Sequence, residues 1–324
     1  MKSMSRNSIN RYNSRGIALL FALPPSVLLL AFLILPILCN VVVSIFDIGN
    51  NPEQWFSDFA FLDNYFKAVM QDGFINAVRN SILFSVVTTL GITVAGLLAA
   101  SLLKMQFKGR DVAMALIMLS WIIPSYVVGM FFGYMFQQDN SFVNFLLFDV
   151  LEFDIYSSWF GVEWNYNESG QLIIPRWLDG KYSVLTIAVP AIWHYWPYSM
   201  LLFLEGMRTI KDDVSTAATM DGASEVHKFF YITLPVLKPA LIAVFVQNLI
   251  ISIYSFNIVV MMFGNGTIDP SKSADILVPY IFRTSFHSWN LSVGAALSTM
   301  LTFTVGLAVI YYYRNFKGQD DEKS

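Results

Sequence analysis

The sequence predicts an all-α integral membrane protein with six transmembrane helices, and three observations carry that prediction. Of its 324 residues, 56% are hydrophobic and only 13% are charged, against about 25% charged in ordinary soluble domains. The charged residues fall between six long apolar runs, each long enough for the roughly 20 apolar residues that a helical span requires. Lys and Arg are shared unequally between alternate connecting segments, as happens when alternate segments lie on opposite sides of a membrane.

The runs can be taken in order. Residues 1–16 form a polar tail with Lys2, Arg6, Arg11 and Arg15 and no acid. The first span, 17–46, is uncharged, and Pro24, Pro25 and Pro36 predict an irregular start and a kink. The second, 81–103, carries Gly91, Ala95, Gly96, Ala99 and Ala100, small residues that let helix backbones approach closely. The third, 112–136, has Pro124 and two glycines near its middle. An acidic, aromatic excursion at 137–182 separates it from the fourth span, 183–204. A charged loop, 205–239, leads into the fifth span, 240–263, and a polar loop into the sixth, 291–313, before the tail 314–324. By these boundaries 17–313 is one permeation domain, and no span contains an acid or a base.

The orientation follows from counting bases. The N-terminal tail, 104–111, 205–239 and the C-terminal tail hold 14 Lys and Arg, while the three alternate segments hold 6. Both termini and the 205–239 loop are therefore expected in the cytoplasm, with 137–182 outside. A formal net charge of −3 argues against nucleic acid as a partner. The single cysteine, Cys39, sits in an apolar run, and His194, His227 and His287 share no ligand spacing. No metal site is expected. The segment GTIDPSKS at 266–273 lacks the second glycine of a phosphate-binding loop, so the chain is not expected to bind ATP.

The 205–239 loop is the informative one. Asp212 or Asp213 can cap a short helix. Ala217 and Ala218 leave a smooth surface on that helix, and Asp221-Gly222 signals a turn. A second short helix carries Phe229 and Phe230, and Pro235 and Pro239 break the chain before the fifth span. An ordered loop this long is usually functional.

Ala217, Ala218, Asp221, Gly222, Ala223, Phe229, Ile232, Leu234, Pro235, Leu237 and Pro239 fall at the spacing of a known signature. It resembles the cytoplasmic loop of permease subunits of binding-protein-dependent ABC importers. Thr216 stands where that signature usually has Glu, and Lys211 where Pro often precedes the helix. The stretch 190–210 resembles the family's fourth span and its run into the loop, 274–286 and 290–301 resemble the segments around the last span in its carbohydrate-type branch, and the likeness covers roughly residues 17–313. No counterpart is apparent for 153–181, which reads as an insertion. The resemblance implies an ABC importer permease fold in a bacterial inner membrane. It implies a second permease subunit, two cytoplasmic ATPase subunits that bind the ATP, and an extracytoplasmic solute-binding protein. The 205–239 loop would form a coupling helix seated in a cleft of an ATPase.

Polar residues within spans mark a possible transport path. Asn248, Ser252 and Ser255 fall on one face of the fifth span, with Gln247, Tyr254 and Asn257 on neighbouring faces. Trp193 and Trp196 flank His194 in the fourth. Amides, hydroxyls and aromatic faces suit a sugar or polyol, while interhelical hydrogen bonding and core packing are the plainer uses of the same residues. A stand-alone secondary transporter is the alternative, but it calls for intramembrane charges and repeated halves, and the sequence shows neither. A membrane-embedded enzyme would want a cluster of His, Asp or Glu, and that is missing too.

Overall fold

A computed structural model describes residues 9–48, 58–136, 141–152, 177–178, 183–263 and 274–320. Most of the 137–182 excursion and all of the 266–273 segment lie outside the described residues. The chain divides into two compact units: residues 1–71 with 284–324, and residues 72–283.

In the first unit, α1 (Ile9–Leu29) runs through Pro24 and Pro25 without a break. It passes through one π-turn, Leu30–Ile34, into α2 (Leu35–Ser44). The irregularity expected at the start therefore lies just before Pro36. A wide turn draws the carbonyl four residues back away from the proline ring, where a tight turn would clash. The stretch Ala18–Ser44 is apolar enough to span and buries none of its apolar window within the chain.

α2 packs on α15 (Leu291–Asp320). Asn40 Nδ2 donates to Thr299 Oγ1 at 3.0 Å, and Ser298 Oγ donates to Asn40 Oδ1 at 3.1 Å. Beyond α2, the Ile48 N–H donates to Ser292 Oγ at 2.7 Å. α3 (Asp63–Met70) is tied to the end of α2 through Asn64, whose amide donates to the Ser44 and Phe46 carbonyls.

The second unit is built on α4 (Phe74–Lys104) and α8 (Ser183–Arg208). Between them lie α5 (Arg110–Ile122), α6 (Ser125–Met135) and the short α7 (Phe142–Asn144). After α8 come α9 (Asp212–Met220), α10 (Glu225–Lys228), a π-turn at Phe229–Thr233 and α11 (Leu234–Val236). Then follow α12 (Lys238–Ile253), α13 (Asn257–Met262) and α14 (Leu277–Phe282).

The small residues of α4 do what their size allows. A Cβ at Gly96 would come within 2.9 Å of Ser199 Cβ and 3.0 Å of the Met200 nitrogen, and one at Gly91 would overlap Ile192. Only glycine lets α4 and α8 meet so closely. Gly129 and Gly133 repeat the device on α6. A Cβ there would lie 2.5 Å from the Ile258 carbonyl oxygen and 2.8 Å from that of Met262, both on α13.

Among the described residues three helices are long and apolar enough to cross a membrane, or up to five if each of two bent pairs counts as one span. The third expected span is α5 and α6, bent by 90° at Pro124. The fifth is shorter than 240–263, since α12 stops at Ile253 and α13 starts again at Asn257. The loop expected at 264–290 contains α14 and a further π-turn segment, Arg283–His287. α8 has the length of a span but carries two prolines, two tryptophans and a histidine, and it does not reach the apolarity of the three.

Candidate functional site

Two places gather the residues singled out by the sequence: the 205–239 loop and the interrupted helices behind it. The loop is ordered. Lys211 stands at the N-cap of α9 with no side-chain cap. Asp213, expected as a possible cap, lies in the first turn, where a negative charge favours the helix dipole; the side chain of Asp212 lies outside the described residues.

The end of α9 explains the spacing of Ala218, Asp221, Gly222 and Ala223. The Gly222 N–H donates to the Thr219 carbonyl at 3.0 Å, and the Ala223 N–H to the Ala218 carbonyl at 2.9 Å. These two bonds make a Schellman turn, and Gly222 sits at its left-handed position with φ +83°. No atom lies within 4 Å of where its Cβ would be, so the demand for glycine there is one of backbone conformation, not space. Ala217 is exposed, and Ala218 and Ala223 are half-buried against the turn.

Ser224 then starts α10, its Oγ accepting from the His227 N–H at 3.2 Å. Lys228 pairs with Glu225 and donates to Thr219 Oγ1 at 3.1 Å, joining α10 to α9. The chain widens into a π-turn over Phe229–Thr233 just before Pro235, as it does before Pro36. Pro235 and Pro239 occupy first-turn positions of α11 and α12, where a missing N–H costs nothing. The predicted break appears as a 72° bend between Val236 and Lys238. Leu234 is half-buried, and Pro235 and Pro239 are exposed. Leu237, at the bend, is buried in a cluster with Phe203, Leu204, Met207, Leu103 and Val244. The exit of the loop is therefore held by the cores of α4, α8 and α12, while α9 presents an exposed face that includes Val214, Ala217 and Met220.

Behind the loop, the polar residues of α12 divide. Asn248 is buried, donating to Ser199 Oγ at 3.0 Å and Thr93 Oγ1 at 3.5 Å. Ser252 is buried and accepts from Thr88 Oγ1 at 2.8 Å. These two join α12 to α4 and α8. Ser255, also buried, falls beyond the end of α12, so it does not continue their face. Gln247 is half-buried, while Tyr254 and Asn257 are exposed.

The two interruptions meet. Asn257 Nδ2, at the start of α13, donates to Ser125 Oγ at 3.3 Å, at the start of α6. Pro124 has no N–H to give the Ser120 carbonyl four residues earlier. His194 Nδ1 lies 2.7 Å from that oxygen, and since a carbonyl only accepts, the nitrogen donates. His194 thus closes a helix break, an interhelical hydrogen bond of the plainer kind expected of these residues. Around the break Trp121 stacks on Tyr198 at 5.2 Å between centroids. Trp193 is exposed and stands 5.5 Å from Phe132 between ring centroids, and Trp196 packs against the cluster around Leu237. Trp121 and Tyr198 escaped notice because nothing in their local pattern marks them. Pro124, four residues after Ser120, was the available signal.

Sequence reasoning also missed a buried ion pair. Arg283 grips Asp275 with two nitrogens, the pair being 18% and 9% exposed. Asn80 and Ser81 of α4 fix the same segment by donating and accepting at the Asp275 carbonyl and the Leu277 N–H.

With this geometry in view, residues 91–316 match the family described as binding-protein-dependent transport system inner membrane component. The inner membrane ABC transporter permease protein YcjO of Escherichia coli (strain K12) is 30% identical over 297 residues, covering 91% of this chain and 92% of that protein. The trehalose/maltose transport system permease protein MalF of Thermococcus litoralis is 28% identical over 308 residues, 94% of each. Among solved structures, a bacterial ABC transporter involved in the import of the acidic polysaccharide alginate matches with a TM-score of 0.71 at 18% identity, over 93% of this chain and 95% of that one. At that identity the likeness speaks for the fold.

Proposed function

The chain belongs to the family of binding-protein-dependent transport system inner membrane components, and from this premise we propose that it conducts a sugar or polyol. It is the permease of an ATP-driven importer and crosses the membrane several times. It is not itself an enzyme: ATP binds to two partner ATPases, and a second permease completes the pathway. A binding protein delivers the solute from outside, and both termini face the cytoplasm, as the 14 to 6 distribution of Lys and Arg supports.

One observation carries the coupling role. The 212–239 segment is a hydrogen-bonded helix–turn–helix whose base is anchored at Leu237, and it leaves the exposed face of α9 to be gripped by another protein. Motion imposed on α9 would reach α12 through the bend at Leu237 and rock it against α4 and α8. The test is Gly222→Asp, whose expected result is normal membrane insertion with loss of solute uptake. Normal uptake by that variant would remove the coupling role.

For the solute, the support lies where the two helix breaks meet. Irregular backbone at membrane depth is tolerated where it lines a cavity or is buried in protein. The exposed side chains there are an amide, a phenol and indoles: Asn257, Tyr254, Trp121 and Trp193. Hydrogen-bonding groups with aromatic faces suit a neutral, hydroxyl-rich ring. The relative named for trehalose/maltose points the same way. Asn248 and Ser252 serve as interhelical ties in this reading, and Tyr254→Ala or Asn257→Ala is expected to raise the KM for uptake more than it lowers the maximal rate. A screen of sugars and polyols against uptake identifies the solute.

A further inference from the structure

A cavity of about 340 Å³ lies between the end of α4, the end of α8 and the segment from α9 to the Phe229–Thr233 turn. It is at the lower end of the range of small-ligand sites, about 300–1,000 Å³. Its walls carry two cations, Lys104 and Lys228, three hydroxyls, Ser101, Ser215 and Thr233, and one acid, Glu225. The rest of the lining is apolar, including Met207 and Phe229.

Lys228 is the unusual member. Its side chain is only 11% exposed, whereas its partner Glu225 is 88% exposed. A buried ammonium keeps its charge only with partners. Lys228 has three N–H donors, of which Thr219 Oγ1 and Glu225 take two. Glu225, almost wholly in solvent, loses little by giving up its place to another anion.

We propose that this cavity is a binding site for a phosphate ester. Lys228 and Lys104 hold the phosphoryl oxygens, Ser215 and Thr233 supply hydroxyl contacts, and the apolar wall takes the carbon body of the ester, while Ser101 donates its own hydroxyl to the Leu97 carbonyl at 2.8 Å. Two sources share this chemistry. One is the headgroup of an anionic phospholipid, reached from the bilayer at the end of α4. The other is a soluble sugar phosphate of the cytoplasm. In either case the occupant touches both the transmembrane helices and the α9–α10 segment, and so ties one to the other. That consequence for transport rests on the coupling role proposed above, but the site itself does not.

The test uses the full chain in phosphatidylcholine nanodiscs. Calorimetry with glucose 6-phosphate reads the soluble source, and native mass spectrometry after doping with phosphatidylglycerol reads the lipid. The expected result is retention of one of the two probes. Lys228→Gln and Lys104→Gln should each weaken it by at least about tenfold, the loss of one charge-assisted hydrogen bond. Glu225→Gln breaks the same ion pair as Lys228→Gln but keeps the cation, and should hold the probe as well as or better than the parent. Retention of neither probe by the parent overturns the proposal. So does equal retention by Lys228→Gln, or a loss in Glu225→Gln as large as in Lys228→Gln. Binding is read without transport, so its failure leaves the coupling role standing, and normal uptake by Gly222→Asp leaves the site standing.

Discussion

His194 shows how one side chain can decide whether a broken helix is affordable. Its Nδ1–H satisfies the Ser120 carbonyl that Pro124 leaves open, at a buried position. His194→Ala is expected to cost about 1–3 kcal/mol, the penalty for an unsatisfied buried acceptor. Thermal unfolding in detergent measures it, and His194→Phe, which fills the space without a donor, should not restore it. Asp275 makes a second case. Asp275→Asn would leave Arg283 buried without its carboxylate, a loss of about 3–5 kcal/mol. Asp275→Asn combined with Arg283→Gln should recover much of it in the same unfolding assay. At Gly222 the matter is backbone alone. Gly222→Ala, at φ +83° with open space around it, should cost about 1–2 kcal/mol without disturbing any packing. These three effects were unequally legible in the sequence. Gly222 could be read, because Asp-Gly after two alanines is a local turn signal. The partners of His194 and Asp275 could not, because the bond of His194 crosses 74 residues and the grip on Asp275 needs the segment to be folded on α4 first.

At the scale of elements, glycine pairs set which helices meet. Gly129 and Gly133 face the backbone of α13, and Gly96 faces that of α8. A leucine at Gly129 or Gly96 has no rotamer that avoids backbone, so it should separate the helices, at a cost above the roughly 1–3 kcal/mol of ordinary overpacking. Cysteine crosslinking between α6 and α13, or α4 and α8, would report the separation. Helix existence was readable from apolar run length, and the small residues of α4 from composition. The breaks were harder. Pro124 marked one of them, but the stop at Tyr254 has no proline or glycine near it. It is set by contacts with α6, which a local reading of the chain does not contain. The π-turns at Leu30–Ile34 and Phe229–Thr233 share one cause that the sequence did show without its outcome: Pro36 and Pro235 each follow a wide turn that ends two residues earlier, where a kink or a break had been expected.

At the scale of the whole molecule, class and family were legible in the sequence. Apolar run length and the Lys and Arg bias define a multi-pass membrane protein, and the spacing through 217–239 defines its family. The apolar runs are not all straight rods: the third bends by 90° at Pro124, and the chain enters the fifth through a 72° bend at Leu237. The orientation proposed here has a direct measurement. In a variant with Cys39 replaced, a single cysteine at exposed Met220 should react with a membrane-impermeant thiol reagent only when the cytoplasmic face is open to it. Labelling from the outside of intact cells would reverse the topology.

The contrast between Ala18–Ser44 and α8 also bears on how the chain enters a bilayer. The first helix has a mean hydropathy of 2.8 and buries none of its window within the chain, so lipid alone suffices as its surroundings. α8, with its prolines, indoles and buried histidine, gains little from lipid until α4 offers the glycine-lined surface it fits. Synthesis therefore meets a segment that settles at once and, much later, one that must wait for a neighbour already in place. Mutations at Gly91 or Gly96 would then be felt during biogenesis, as failed assembly and degradation, before they were felt in the finished transporter.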